Sequence, residues 1–147
     1  GPGTDSGTFD FFTDEINGES GNIRTDYSNI GEDDNQAVQG VSGSLGAMAF
    51  IPYSFYQEYS DTVKGLAIDS GAGCVDPTVE NLLAGDYTPL GRGLYMFPAS
   101  SALERPEVLA FYNFVIDQNE SIASAAGLVA LTADQKAEQL SVVAGLG

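Results

Sequence analysis

Histidine does not occur in this chain, and only 5 of its 147 residues are basic against 21 acidic ones. Without an imidazole, no Ser-His-Asp or Cys-His pair can be assembled from within the chain. The formal net charge of −16 at pH 7 argues against nucleic acid and against anionic membrane surfaces as partners. A small anion is a different matter, because a few oriented N–H groups and one arginine act locally while distant charges are screened within about 8 Å. The single cysteine, Cys74, excludes a disulfide closed within the chain, and no CxxC or Cys/His cluster has zinc-ligand spacing. Cys74 reads as a small buried or half-buried side chain. No run approaches the roughly 18 to 20 consecutive apolar residues of a spanning helix, and the amino end lacks the basic-then-apolar pattern of a signal peptide. Walker-type GxxxxGK[ST] and dinucleotide GxGxxG patterns are absent as well.

What is present is a globular composition, 43% hydrophobic, at a length that suits one domain with its own core. The opening GPGTDSGTFDFF runs from a Gly-rich loop into helical spacing, with Phe9, Phe12 and Ile16 on one face and Ser6 or Thr8 able to cap. A polar, turn-rich stretch containing Arg24 follows, and DDNQAVQGV predicts a short helix starting near Asp33. GAMAFIPY (46–53), VKGLAI (63–68) and LYMFPA (94–99) predict short apolar strands. YSFYQEYS (53–60) predicts an amphipathic helix, and DPTVENLLAGDY predicts another with Pro77 near its first position and Gly85 as C-cap. From Glu104 onward three helices are predicted, the last capped by Thr132. The alternation suggests an α/β protein with a short mixed sheet.

Two stretches offer chemistry. Ser6, Gly7 and Thr8 supply consecutive N–H groups and two hydroxyls at a predicted helix N-terminus, where the dipole favours negative charge. They form either an anion cradle or a simple N-cap with a tight turn, and spacing alone does not separate the two. The second stretch is GLAIDSGAG, in which Asp69-Ser70-Gly71 mimics an aspartic-protease signature, with Asp5-Ser6-Gly7-Thr8 as a second copy. Against that reading, too few residues separate Asp69 from LGRG for the intervening strands and flap, and Asp5 runs straight into helical sequence. Glu32, Asp33 and Asp34 suit a solvated helix start. The calcium-loop registers beginning at Asp26 and Asp69 each miss required ligands, so no metal is expected.

The ordered series of motifs, from GPGTDSGTFDFF through NIRTDY to VDPTVENLLAGDYTPLGRGLYMF and the final helices, resembles the latter half of PstS-type phosphate-binding proteins, receptors of phosphate ABC transporters. The resemblance covers essentially the whole chain. It implies a partial type II periplasmic-binding-protein fold, α/β with a mixed sheet flanked by helices and most of the first lobe missing. Residues 1–88 then belong to the second lobe and carry the phosphate loop. Residues 89–147 form a hinge-crossing strand and helices that pack on the first lobe, leaving Leu109, Phe114, Val115, Leu128 and Leu140 exposed in isolation. By the same resemblance, Ser6, Gly7 and Thr8 bind phosphate oxygens and Arg24 of RTDY supplies the charge. Members of the family often carry that arginine just before the loop, where Pro2 stands here. Asp5 orients Arg24 or the loop. The implied function is non-enzymatic binding of inorganic phosphate for import, with no cofactor. The implied partners are a membrane permease and the missing lobe or another chain supplying it. The implied location is periplasmic or extracellular, with a lipid anchor as an option in the full-length receptor. The alternatives are an aspartic-protease-like hydrolase using Asp69 and a scaffold-only interaction module.

Overall fold

Side-chain caps start several of the helices. In the computed structural model, which describes residues 1–146, Ser6 caps α1 (Gly7–Asn17), its hydroxyl accepting from the Thr8 N–H, and Gly18 closes the helix in the left-handed conformation at φ 76°. Asp33 caps α2 (Asp34–Ser42) by accepting from the Asn35 N–H, and Pro52 leads into α3 (Tyr53–Glu58). In α4 (Val79–Ala84) the cap is Thr78, which accepts from the Asn81 N–H. Pro77 therefore stands before the cap and not at the first helical position, because the threonine hydroxyl satisfies a first-turn donor that proline cannot. Gly85 ends α4 with φ 78°, the conformation that glycine adopts without steric cost.

The chain divides into two compact units, the first Gly1–Arg92 and the second beginning at Gly93. The first unit is built around α1. Phe9 is 1% exposed; its ring lies 5.7 Å from that of Tyr27 and 6.5 Å from that of Phe50. Phe12 and Phe50 stack at 3.9 Å, and Ala37 and Val38 of α2 are buried as well. The second unit packs α6 (Pro106–Asp117) against α5 (Ser100–Leu103), α7 (Asn119–Ala125) and α8 (Ala133–Leu146). Its buried side chains are Leu103, Ile116, Ala123 and Val143. No helix among the described residues is long and apolar enough to cross a membrane.

The expected mixed sheet is not formed within the described residues. Their only sheet is an antiparallel hairpin of β1 (Ile68–Asp69) and β2 (Cys74–Val75), with Ile68 opposite Val75 and Asp69 opposite Cys74. Residues 46–52 and 94–99 belong to no ladder, and only the last residue of VKGLAI reaches a strand. A strand is a partnership between backbones, so an apolar β-type sequence becomes one only where a second edge supplies hydrogen bonds. Phe50 instead gives its ring to the α1 core. Leu94 and Phe97 are 82% and 88% exposed. Phe114 and Leu128 are exposed as the sequence suggests, whereas Leu109, Val115 and Leu140 are half-buried. Cys74 is exposed, not buried, because it sits on the edge of the small hairpin.

Candidate functional site

The first turn of α1 leaves several N–H groups without helical acceptors. Ser6, itself buried, donates its N–H to the Gly3 carbonyl at 3.0 Å and accepts from the Thr8 N–H at 3.2 Å. A Cβ placed on Gly7 would meet nothing within 4 Å. The turn is thus open beside Gly7, and the first-turn N–H groups that lack helical acceptors face the positive end of the helix. Ser6, Gly7 and Thr8 form a capped helix start that is exposed at Gly7.

Arg24 lies in a loop that is fastened to α1 at both ends. On its amino side, the buried Thr13 hydroxyl donates to the Phe9 carbonyl at 2.9 Å and accepts from the Gly21 N–H at 2.8 Å. The Ser20 hydroxyl donates to Asp10 at 2.9 Å. On its carboxyl side, Tyr27 packs its ring on Phe9 and donates its hydroxyl to the Pro2 carbonyl at 2.8 Å. Two backbone bonds then join the strand-like lead to the loop: Ile30 N–H to the Gly1 carbonyl and Gly3 N–H to the Gly31 carbonyl, both 3.0 Å. The loop therefore begins on the body of α1 and ends on the residues leading into Ser6. Sequence reasoning missed Thr13 and Tyr27; an apolar-face threonine and a loop aromatic carry no local signal for such tethering. Substituting Thr13→Val should destabilise the chain by about 1–2 kcal/mol, since it strands the Gly21 N–H, and a urea melt reads the change. Equal stability of the variant would contradict the tether.

The guanidinium of Arg24 is held in plane by Asp26, with Nε at 2.9 Å and Nη2 at 2.7 Å from the two carboxylate oxygens. Both side chains are largely exposed. The hydrogen bonds hold Asp26 below its ordinary carboxylate value and Arg24 above its own. An arginine carries five N–H donors, so this fork leaves the Nη1 pair and one Nη2 hydrogen for another oxyanion. The carboxylate that orients Arg24 is that of Asp26. Asp5 instead sets its Oδ1 against Gly3, 2.7 Å from where a Cβ would stand.

Asp69 has a different task. Its Oδ1 accepts from the N–H groups of Gly71 at 2.8 Å and Gly73 at 3.0 Å, and both glycines have positive φ, 109° and 107°. Those two hydrogen bonds hold its carboxyl below the ordinary range. A protease dyad needs a carboxyl kept protonated by a second one, and this aspartate is stabilised in the charged form. Because its folded value is depressed, its support for the hairpin is present above about pH 4 and is lost as pH falls through that lower value. The acid limb of a pH-dependent melt should therefore be shallower in Asp69→Asn than in the wild type; superimposable limbs would contradict this role. Among the described residues no group of three or more Asp, Glu or Cys side chains could hold a metal ion.

Several known proteins are similar to this chain. Protein SphX of Synechococcus elongatus is 38% identical over 133 residues, covering 90% of this chain and 39% of that protein. The phosphate-binding protein PstS of Staphylococcus saprophyticus is 30% identical over 142 residues, 95% of this chain and 43% of its own length. A crystal structure described as a possible phosphate binding protein, from Planctomyces limnophilus, matches with a TM-score of 0.81 at 30% identity, covering 99% of this chain and 52% of that one. No family model matches. The chain thus resembles PstS-type and SphX proteins over nearly all of its length, and it spans about two fifths of the length of these curated relatives.

Proposed function

We propose that the chain carries the phosphate-holding loop of a solute-binding protein for inorganic phosphate, with the open N–H groups of α1, the Ser6 and Thr8 hydroxyls and the Arg24 fork as its contacts. The observation that carries this reading is the double tether of the Arg24 loop to α1. Helix-start N–H donors and a guanidinium held in plane by Asp26 on one small scaffold suit a tetrahedral oxyanion, because fixed donors lose little freedom on binding. The relatives named for phosphate binding support the choice of anion. Binding without chemistry fits the absence of histidine and the charged state of Asp69.

On this reading the protein works outside the cytoplasmic membrane, delivering phosphate to the permease of an ABC transporter. Residues 1–88 belong to one lobe. Residues 89–147 cross to the other, where Leu94, Tyr95, Met96 and Phe97 enter a sheet and the exposed face of α6 finds its cover. Sequential apolar residues on both faces suit a strand buried on both sides. Enclosure between two lobes excludes water and strengthens each polar contact. Calorimetric titration of the chain with inorganic phosphate, with sulfate as control, tests the reading. Saturable binding of phosphate is the expected result, and its absence at millimolar ligand would overturn it for this chain.

A further inference from the structure

Arginines in so acidic a chain find carboxylates readily: Arg24 pairs with Asp26 and Arg105 with Glu107, each at 2.7 Å. Arg92 is the exception among the described residues. It makes no ion pair, and its guanidinium carbon lies 4.6 Å from the centre of the Phe11 ring. Phe11 is on α1, one turn beyond Gly7, so its Cα stands about 6 Å along the axis from the start of the helix. Helical side chains lean back toward the N-terminus, so the ring and the cation above it lie along the side of α1 toward its first turn, leaving the space within 4 Å of a Cβ on Gly7 clear.

The backbone before Arg92 is seated firmly. The Gly91 N–H donates to the Tyr87 carbonyl at 3.0 Å, and a Cβ at Gly91 would stand 2.9 Å from Leu82 Cδ1 and 3.1 Å from the Tyr87 carbonyl oxygen. Stacking on an aromatic ring occupies the face of a guanidinium and leaves its N–H groups free in the plane. The charge is also needed there. Between residues 5 and 26 the chain carries Asp5, Asp10, Asp14, Glu15, Glu19 and Asp26 against Arg24 alone, a local field that repels any anion approaching α1.

We infer that Arg92, held over Phe11, is a second cationic residue of the anion site, offsetting the acidic surround of α1 and attracting phosphate to its first turn. This rests on the reading of α1 as a phosphate loop. The test is calorimetric titration of inorganic phosphate into the wild type, Arg92→Met and Arg92→Lys at low and high salt, with a thermal melt of each. Methionine keeps an unbranched apolar stem over Phe11 and removes the charge, whereas lysine keeps the charge. Arg92→Met should weaken binding about fivefold at low ionic strength, with the gap closing toward 0.5 M salt as screening takes over. Arg92→Lys should recover most of the loss. Unchanged affinity in Arg92→Met overturns the role of Arg92 and leaves the loop reading intact. A salt-independent loss that lysine does not rescue, accompanied by a lower melting temperature, also overturns it, because that pattern belongs to a packing contact. A wild type that binds no phosphate overturns both.

Discussion

Replacing Arg24 by alanine is expected to weaken binding of inorganic phosphate by about 100-fold, read by calorimetric titration. The size of the effect follows from the geometry of the fork. Asp26 takes Nε and one Nη2 hydrogen and holds the plane of the guanidinium, so the remaining donors meet a ligand without further loss of rotamer freedom. Neutral N–H groups at the start of α1 cannot replace that charge, because the helix end is equivalent to only about half a unit charge. Arg24→Lys should recover a minor part, as a point charge without the planar fork. Asp26→Asn should cost less than loss of the arginine, since it frees the guanidinium without removing it. Full affinity in Arg24→Ala would contradict the assignment and direct attention to the loop alone.

The largest effect on stability is expected from Phe9→Ala, about 3–5 kcal/mol and a fall in melting temperature of about 10 °C. Phe9 is 1% exposed and touches both Tyr27 and Phe50 through its ring, so its removal opens a cavity that a helix and a hydrogen-bonded loop cannot collapse to fill. The same change removes the surface on which Tyr27 rests. Phosphate affinity should therefore fall together with stability, although Phe9 is too deeply buried to offer its side chain to a ligand. A denaturant melt and a titration on one sample check both. Phe9→Leu, which keeps most of the volume, should restore much of each. Stability close to the wild type in Phe9→Ala would show that the aromatic cluster is not the centre of the first unit.

The helices were legible because their signals are local. Ser6, Asp33 and Thr132 mark starts, Gly85 marks an end, and apolar spacing fills the intervals, so α1, α2, α3, α6 and α8 stand close to where the residues put them. The strands were not legible in the same way. GAMAFIPY and LYMFPA have the composition of strands, but composition cannot report whether a partner edge is present. The residues proposed for the anion site, Ser6, Gly7, Thr8 and Arg24, could be named from motif and resemblance. The pairing of Arg24 with Asp26 or Asp33 could be read from the loop, and the structure has Asp26; what the sequence could not convey is how the loop is held, because polar residues and glycines carry no sign that Tyr27 anchors it to Phe9 and Pro2. The stacking of Arg92 on Phe11 joins residues distant along the chain and has no periodicity to betray it.

Phosphate is expected to meet this chain at the first turn of α1 and at Arg24. The most direct measurement is a phosphate titration followed by amide and arginine side-chain NMR signals, with sulfate in a parallel series. Saturable shifts concentrated on the Gly7, Thr8 and Phe9 amides and on the Arg24 Nε–H are expected, with sulfate producing smaller ones. Saturable binding that leaves those four signals in place while moving others would contradict it, and so would a titration that moves none.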